Sequence, residues 1–166
     1  LIFSRSLRIG GQHITSDIMQ AFQIPFLAAE RLKVLHGGLL PTNSDDRETL
    51  ELPESNTDLF TERRTITKSE LLGVIRPRVE EIFDSLRSIL DQSDFEFLPG
   101  QKIVLTGGGS KLENILDFAS TFLGKSTRVA VPMRIQGLPA SAHGPEAAAV
   151  IGLALNLAQP QDEVWD

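Results

Sequence analysis

Ile103-Val-Leu-Thr-Gly-Gly-Gly-Ser110 carries a short apolar run into three consecutive glycines and a hydroxyl side chain. Residues 102–106 combine β-branched and aliphatic side chains and predict a strand. Leu112, Ile115, Leu116, Ala119 and Leu123 recur at helical spacing and predict a helix directly after the turn. Backbone without Cβ atoms at Gly107, Gly108 and Gly109 lets a ligand come close, and a helix start adds amide donors and the positive end of its dipole. The same pattern also makes a tight strand-to-helix turn with no ligand. It is neither Gly-x-Gly-x-x-Gly nor a phosphate loop ending in Gly-Lys-Ser/Thr, so neither of those sites is supported.

Working outward, residues 127–131 predict a second strand, followed by a loop with Pro132, Gly137 and Pro139. Gly144-Pro-Glu146 opens a last helix whose residues 147–157 are apolar almost all round, which predicts burial on several sides. Toward the start, residues 1–9 read as strand material, ended by Gly10-Gly11. Residues 13–23 place Ile14, Ile18 and Phe22 on one helix face, with Thr15 as the cap and Asp17 as a first-turn acid. Pro25 begins a second helix to about His36, with Leu27, Leu32 and Leu35 inward, so the two should pack as a hairpin. Between these parts, residues 48–52 and 59–66 predict two short strands of a small exposed sheet. Thr67-x-x-Glu70 then caps a long helix through Ile75, Val79, Ile82, Phe83, Leu86 and Leu90, which Pro77 must kink or divide. The order indicates an α/β layer fold: residues 1–38 and 93–158 as a discontinuous core subdomain, 39–92 as a small insert, and 159–166 as a polar tail.

Composition narrows the function. The chain has 166 residues and a net charge of −6, which argues against a general nucleic-acid binder, since phosphate contacts need clustered Lys and Arg. It holds no cysteine, which removes disulfides and thiolate metal sites and makes a reducing compartment the default. No apolar run reaches the roughly 18–20 residues of a membrane span. His13, His36 and His143 are isolated from one another and read as structural, and no Ser–His–Asp or paired-carboxylate arrangement is present, so no catalytic residue is assigned.

Two further motifs carry possible chemistry. In Ala29-Glu-Arg-Leu-Lys33, Glu30 and Lys33 are three apart and share a helix face; taken alone, that is a surface ion pair of about 0.2–0.5 kcal/mol. Gly10-Gly-Gln-His-Ile-Thr15 ends a predicted strand on a double glycine before a helix. Lys111, just after the triple glycine, either lies over a bound base or sugar or is a solvated lysine.

Together with the last helix, Gly144-Pro-Glu-Ala-Ala-Ala-Val-Ile-Gly152, these blocks occur in the order shown by the second half of actin-like ATPases, and the chain most resembles the FtsA family of bacterial cell-division proteins. The specific pieces are Ile9-Gly-Gly-Gln-His-Ile-Thr-Ser-Asp-Ile18, Ala29-Glu-Arg-Leu-Lys33, Val104-Leu-Thr-Gly-Gly-Gly-Ser-Lys-Leu-Glu-Asn-Ile115 and the helix at 147–155; between 39 and 59 the likeness is loose. The resemblance implies the second lobe of the actin-like (ribonuclease-H-like) ATPase fold, with a small inserted α+β subdomain. It implies that Gly107, Gly108 and Gly109 contact adenosine with Lys111 beside them, that Glu30 and Lys33 approach ribose and base, and that Gly11 lies near the phosphates. ATP, with magnesium in the intact protein, is the implied cofactor.

The insert matches the small outer subdomain that in this family docks the acidic C-terminal tail of the tubulin-like protein FtsZ. Arg78 and Arg76, with Lys68, Arg63 and Arg64 nearby in sequence, would suit an acidic peptide, whereas the residues alone describe a solvated helix face. The resemblance further implies self-association into filaments and a cytoplasmic protein at the inner-membrane face of the division septum. A nucleotide-binding scaffold, rather than an enzyme, follows from it. A pilus-assembly actin homologue or a kinase of the same superfamily is the alternative. The family's Asp-Ile-Gly-Gly-Gly-Thr-Thr phosphate motif, first lobe and amphipathic membrane helix have no match within residues 1–166. The expectation is therefore a C-terminal half holding half a nucleotide site, with weak or no ATP binding alone.

Overall fold

The computed structural model describes residues 4–53, 64–92, 101–133 and 135–158. Helices α1 (Gly11–Phe22) and α2 (Phe26–His36) pack together as the predicted hairpin. The first begins two residues earlier than periodicity indicates, and the Gly10 N–H donates to His13 Nδ1 at 3.1 Å. Thr15 is consequently no cap but a buried mid-helix residue, and Asp17 lies beyond the first turn. On α2, Ala29 and Leu32 are buried while Leu27 and Leu35 are exposed, against the expectation that all three leucines face inward. The small alanine lets α2 lie close at position 29, which rotates its contact stripe away from Leu27 and Leu35. Of the strand expected at 1–9, residues 4–9 enter no β-ladder among the described residues, and a strand exists only through such a ladder; residues 1–3 lie outside the described residues.

Strands β1 (Thr49–Glu51) and β2 (Thr65–Thr67) pair antiparallel with Leu50 opposite Ile66, both buried, between exposed or half-buried neighbours. The expected strand at 59–66 is seen only from Thr65; residues 59–63 and the turn before them lie outside the described residues. Helix α3 (Lys68–Asp91) starts with the predicted capping box: Thr67 Oγ1 accepts from the Glu70 amide at 3.1 Å, and a Glu70 carboxylate oxygen accepts from the Thr67 amide at 2.7 Å. Pro77 does not divide this helix. Leu71, Leu72 and Ile75 before it and Val79 and Phe83 after it are buried on one face, and that packing outweighs the roughly 3 kcal/mol a helical proline costs.

Strand β3 (Ile103–Leu105) pairs parallel with β4 (Thr127–Val129), joined through helix α4 (Ile115–Leu123), a βαβ unit. A 3₁₀ turn, Gly108–Lys111, precedes α4, so the triple glycine enters a tight turn rather than the α-helix itself. Phe83 of α3 meets Phe118 and Phe122 of α4 edge-on, at 5.4 and 5.8 Å between ring centres, and Arg87 lies over the Phe122 ring. One buried apolar cluster runs from Ile14 and Ile18 through Leu32, Leu71 and Ile75 to Ile115 and Phe118.

Helix α5 (Ala148–Ala158) departs most from expectation: Ile151 is its one buried residue, and Val150, Leu153 and Leu157 are exposed. Apolar composition around a helix says what it would bury, not which surfaces stand beside it. None of the described helices is long and apolar enough to cross a membrane.

Candidate functional site

The glycine turn is built by β3 and the strand-to-turn hydrogen bonds. Gly107 takes φ +85°, a region costly for any side chain, and its N–H donates to the Pro145 carbonyl at 2.9 Å. Its own carbonyl accepts from the Ser110 amide at 3.1 Å and the Ser110 hydroxyl at 2.7 Å. Gly108 and Gly109 follow, and a methyl group added at Gly109 would meet nothing within 4 Å. The turn therefore presents open backbone at 108–109, held in shape by Gly107 and Ser110.

Opposite it lies the α1–α2 hairpin. A hollow of about 590 Å³ is bounded by Gly11, Ile14, Phe26, Glu30, Lys33 and Val34 on that side and by Gly108, Gly109, Lys111, Leu112 and Glu146 on the other. Six of the seven residues expected to meet a nucleotide, Gly11, Glu30, Lys33, Gly108, Gly109 and Lys111, thus line one cavity, while Gly107 shapes the turn behind it. The walls combine apolar side chains with a few charged groups, the usual make-up of a small-molecule site. A wider hollow of about 710 Å³ between α2 and β1, lined by Leu27, Leu32, Leu35 and Leu52, contains none of these residues.

Glu30 and Lys33 form more than a surface pair. Lys33 Nζ lies 2.7 Å from Glu30 Oε2, 2.8 Å from Thr15 Oγ1 and 3.1 Å from the Gly11 carbonyl. Thr15 Oγ1 is 2.5 Å from the same Glu30 oxygen. Burial works to raise the Glu30 pKa, but the hydrogen bonds from Lys33 and Thr15 outweigh it and hold the carboxyl below its ordinary range. Across the hollow, Lys111 Nζ pairs with Glu146 Oε1 at 3.1 Å, and Glu146's own amide together with Lys111 keeps that carboxyl low as well. Neither Thr15 nor Glu146 is signalled by spacing; each becomes visible only when two distant segments meet.

The basic residues of the expected docking face are placed differently. Arg78 reaches across to α1 and grips both Asp17 oxygens, at 2.6 and 2.9 Å, and also pairs with Glu81. Hydrogen bonding to Asp17 leads the causes that raise its pKa. Lys68 lies among Asp45, Glu48 and Glu113, at 3.8, 3.7 and 3.4 Å; burial lowers its pKa, but Glu113, Glu48 and Asp45 together raise it. Arg76 pairs with Glu80 one turn on at 2.8 Å, and Arg64 donates to the Phe22 carbonyl at 2.9 Å. Arg63 lies outside the described residues.

The profile of the family described as Cell division protein FtsA matches residues 1–152. Among its relatives, the FtsA of Rhizobium meliloti (strain 1021) is 32% identical over 155 residues, covering 93% of this chain and 35% of that protein. The FtsA of Pseudomonas aeruginosa is 29% identical over 155 residues, covering 93% and 36%. This chain therefore spans about a third of the length of these relatives. In three dimensions it is similar to MreB5 of Spiroplasma citri solved with ADP, with a TM-score of 0.69 at 18% identity over 93% of this chain and 46% of that one. It is also similar to a PilM–PilN type IV pilus biogenesis complex, with a TM-score of 0.62 at 24% identity over 94% and 39%. At those identities the likeness is one of fold, an actin-like α/β lobe. The family match, the relatives and the fold agree: the chain belongs to the FtsA family of cell-division proteins.

Proposed function

We propose that this chain is the second, nucleotide-binding lobe of an actin-like cell-division scaffold that binds ATP, joins filaments of its own kind and recruits FtsZ to the membrane at the septum. The observation that carries the reading is the meeting of the Gly108–Gly109 backbone with Glu30 and Lys33 around one hollow. Ile14, Phe26, Val34 and Leu112 offer apolar surface for a base, the bare glycine backbone admits a flat ring edge, and Glu30 supplies an acceptor for sugar hydroxyls. Magnesium, in the intact protein, would arrive with the phosphates. On this reading the chain is a scaffold, residues 39–92 act as the docking insert, and Arg78 is the first candidate for an acidic FtsZ tail, with Arg76, Lys68, Arg64 and Arg63 around it.

Isothermal calorimetry tests the nucleotide reading. The protein at its natural length should bind ATP, while residues 1–166 alone should bind it weakly or not at all; a submicromolar dissociation constant for residues 1–166 would overturn the half-site reading. A pull-down with an FtsZ C-terminal peptide tests the partner. Binding lost on charge reversal at Arg78 supports it, and no binding at natural length would overturn the partner reading.

A further inference from the structure

The Glu30–Lys33 pair is organised by a third residue from another helix. Thr15 is fully buried on α1, fifteen residues before Glu30 in the chain, and its hydroxyl touches both charged groups, which also touch each other. A hydroxyl has one proton, and the 2.5 Å approach to the Glu30 carboxylate takes it in preference to the 3.1 Å approach to the Gly11 carbonyl, because the acceptor is charged. The Thr15 oxygen then accepts from Lys33. An ammonium has three protons, and Lys33 has three acceptors at hand: Gly11 O, Thr15 Oγ1 and Glu30 Oε2. Lys33 is thus fully engaged within the chain. Both bonds to Glu30 fall on Oε2, so Oε1 is not used by this network although Glu30 lines the hollow.

We propose that Thr15 is a positioning residue of the nucleotide site: with Lys33 it pins one oxygen of the Glu30 carboxylate, leaving the other to accept from the ribose hydroxyls. Glu30 is then the group that touches the sugar, and Lys33 acts through it. This rests on the nucleotide reading above. A carboxylate held in one rotamer by two donors loses no rotamer freedom on binding, which is how a single acceptor becomes selective for a hydroxyl-bearing sugar.

The test compares ATP with 2′,3′-dideoxy-ATP, by calorimetry on the protein at its natural length, with thermal melts alongside. The unaltered protein should prefer ATP, and Thr15→Val, which keeps the shape and removes the hydroxyl, should weaken ATP binding about tenfold while leaving dideoxy-ATP nearly unchanged. Thr15→Ser should retain the preference. Equal weakening of both nucleotides by Thr15→Val would overturn the inference alone, and no ribose preference in the unaltered protein would overturn it together with the sugar-binding role of Glu30. Failure of the unaltered protein to bind either nucleotide would overturn the nucleotide reading and this inference with it.

Discussion

In the hollow, Glu30 and Lys33 come from one helix and close around the buried hydroxyl of Thr15, while one carboxylate oxygen stays outside the network. On α3 and its approach, Lys68, Arg76, Arg78 and Arg64 each meet an acceptor in the same chain. Both regions attract attention in the sequence for the same reason, charged residues at suggestive spacing. Charge written in a sequence is not charge offered to a partner. A basic side chain recruits an external acid only if the intramolecular one yields, and Arg78 would exchange a two-oxygen grip on Asp17 for whatever an acidic tail provides.

Breaking that grip should give the largest effect. Arg78→Glu sets two acids against each other between α1 and α3 and should lower stability by about 2–3 kcal/mol in urea unfolding. Asp17→Asn sharpens the point, since it removes the carboxylate that Arg78 grips with two bonds and leaves it the exposed Glu81. Affinity for an FtsZ tail peptide should rise roughly two- to fivefold by fluorescence anisotropy, and an unchanged affinity would mean Arg78 serves packing alone. On the other side of the comparison, Gly107→Ala should cost about 1–2 kcal/mol because its backbone lies at φ +85°. Gly109→Ala, with open space around it, should leave the melting temperature in place, and only a nucleotide should notice it. Arg76→Ala should change stability least, by under about 0.5 kcal/mol, as expected of an exposed pair one turn apart.

Acid should separate the regions differently. The folded-state pKa values of Glu30 and Asp45 are lowered, the first by Lys33 and Thr15 against the cost of burial, the second by the Thr42 amide and hydroxyl. The unfolded chain therefore takes up protons first. Their contribution is complete above the ordinary carboxylate pKa of about 4 and is lost as pH falls from there through the folded values. Lys68 and Arg78 are shifted upward, so their contribution is present below their ordinary pKa values and fades only in strong alkali. Urea midpoints that do not fall between pH 7 and pH 3 would contradict the acid half of this statement.

Much of the local structure was legible because its causes are local. The Thr67–Glu70 capping box, the proline before α2, the glycine-ended β3 and the spacing of Ile14 and Ile18 each act within one or two turns of chain. Where reading failed, the deciding partner was remote. Thr15 reads as a cap until Glu30 and Lys33 are placed beside it, and Asp17 reads as a first-turn acid until Arg78 arrives from 61 residues away. The glycine motif pointed to the correct turn, yet gave no hint that Gly107 commits its N–H to the remote Pro145 carbonyl and its own carbonyl to Ser110.

By itself the sequence determined an α/β chain with a glycine turn after β3, a helical hairpin and a capped long helix, since hydrophobic period, caps and glycine conformations are properties of neighbouring residues. Tertiary structure alone decided that the hairpin faces the turn across one hollow, that Arg78 is held by Asp17, and that α5 leaves most of its apolar surface exposed. Those outcomes depend on packing between segments far apart in the chain, and periodicity carries no information about which surfaces will meet.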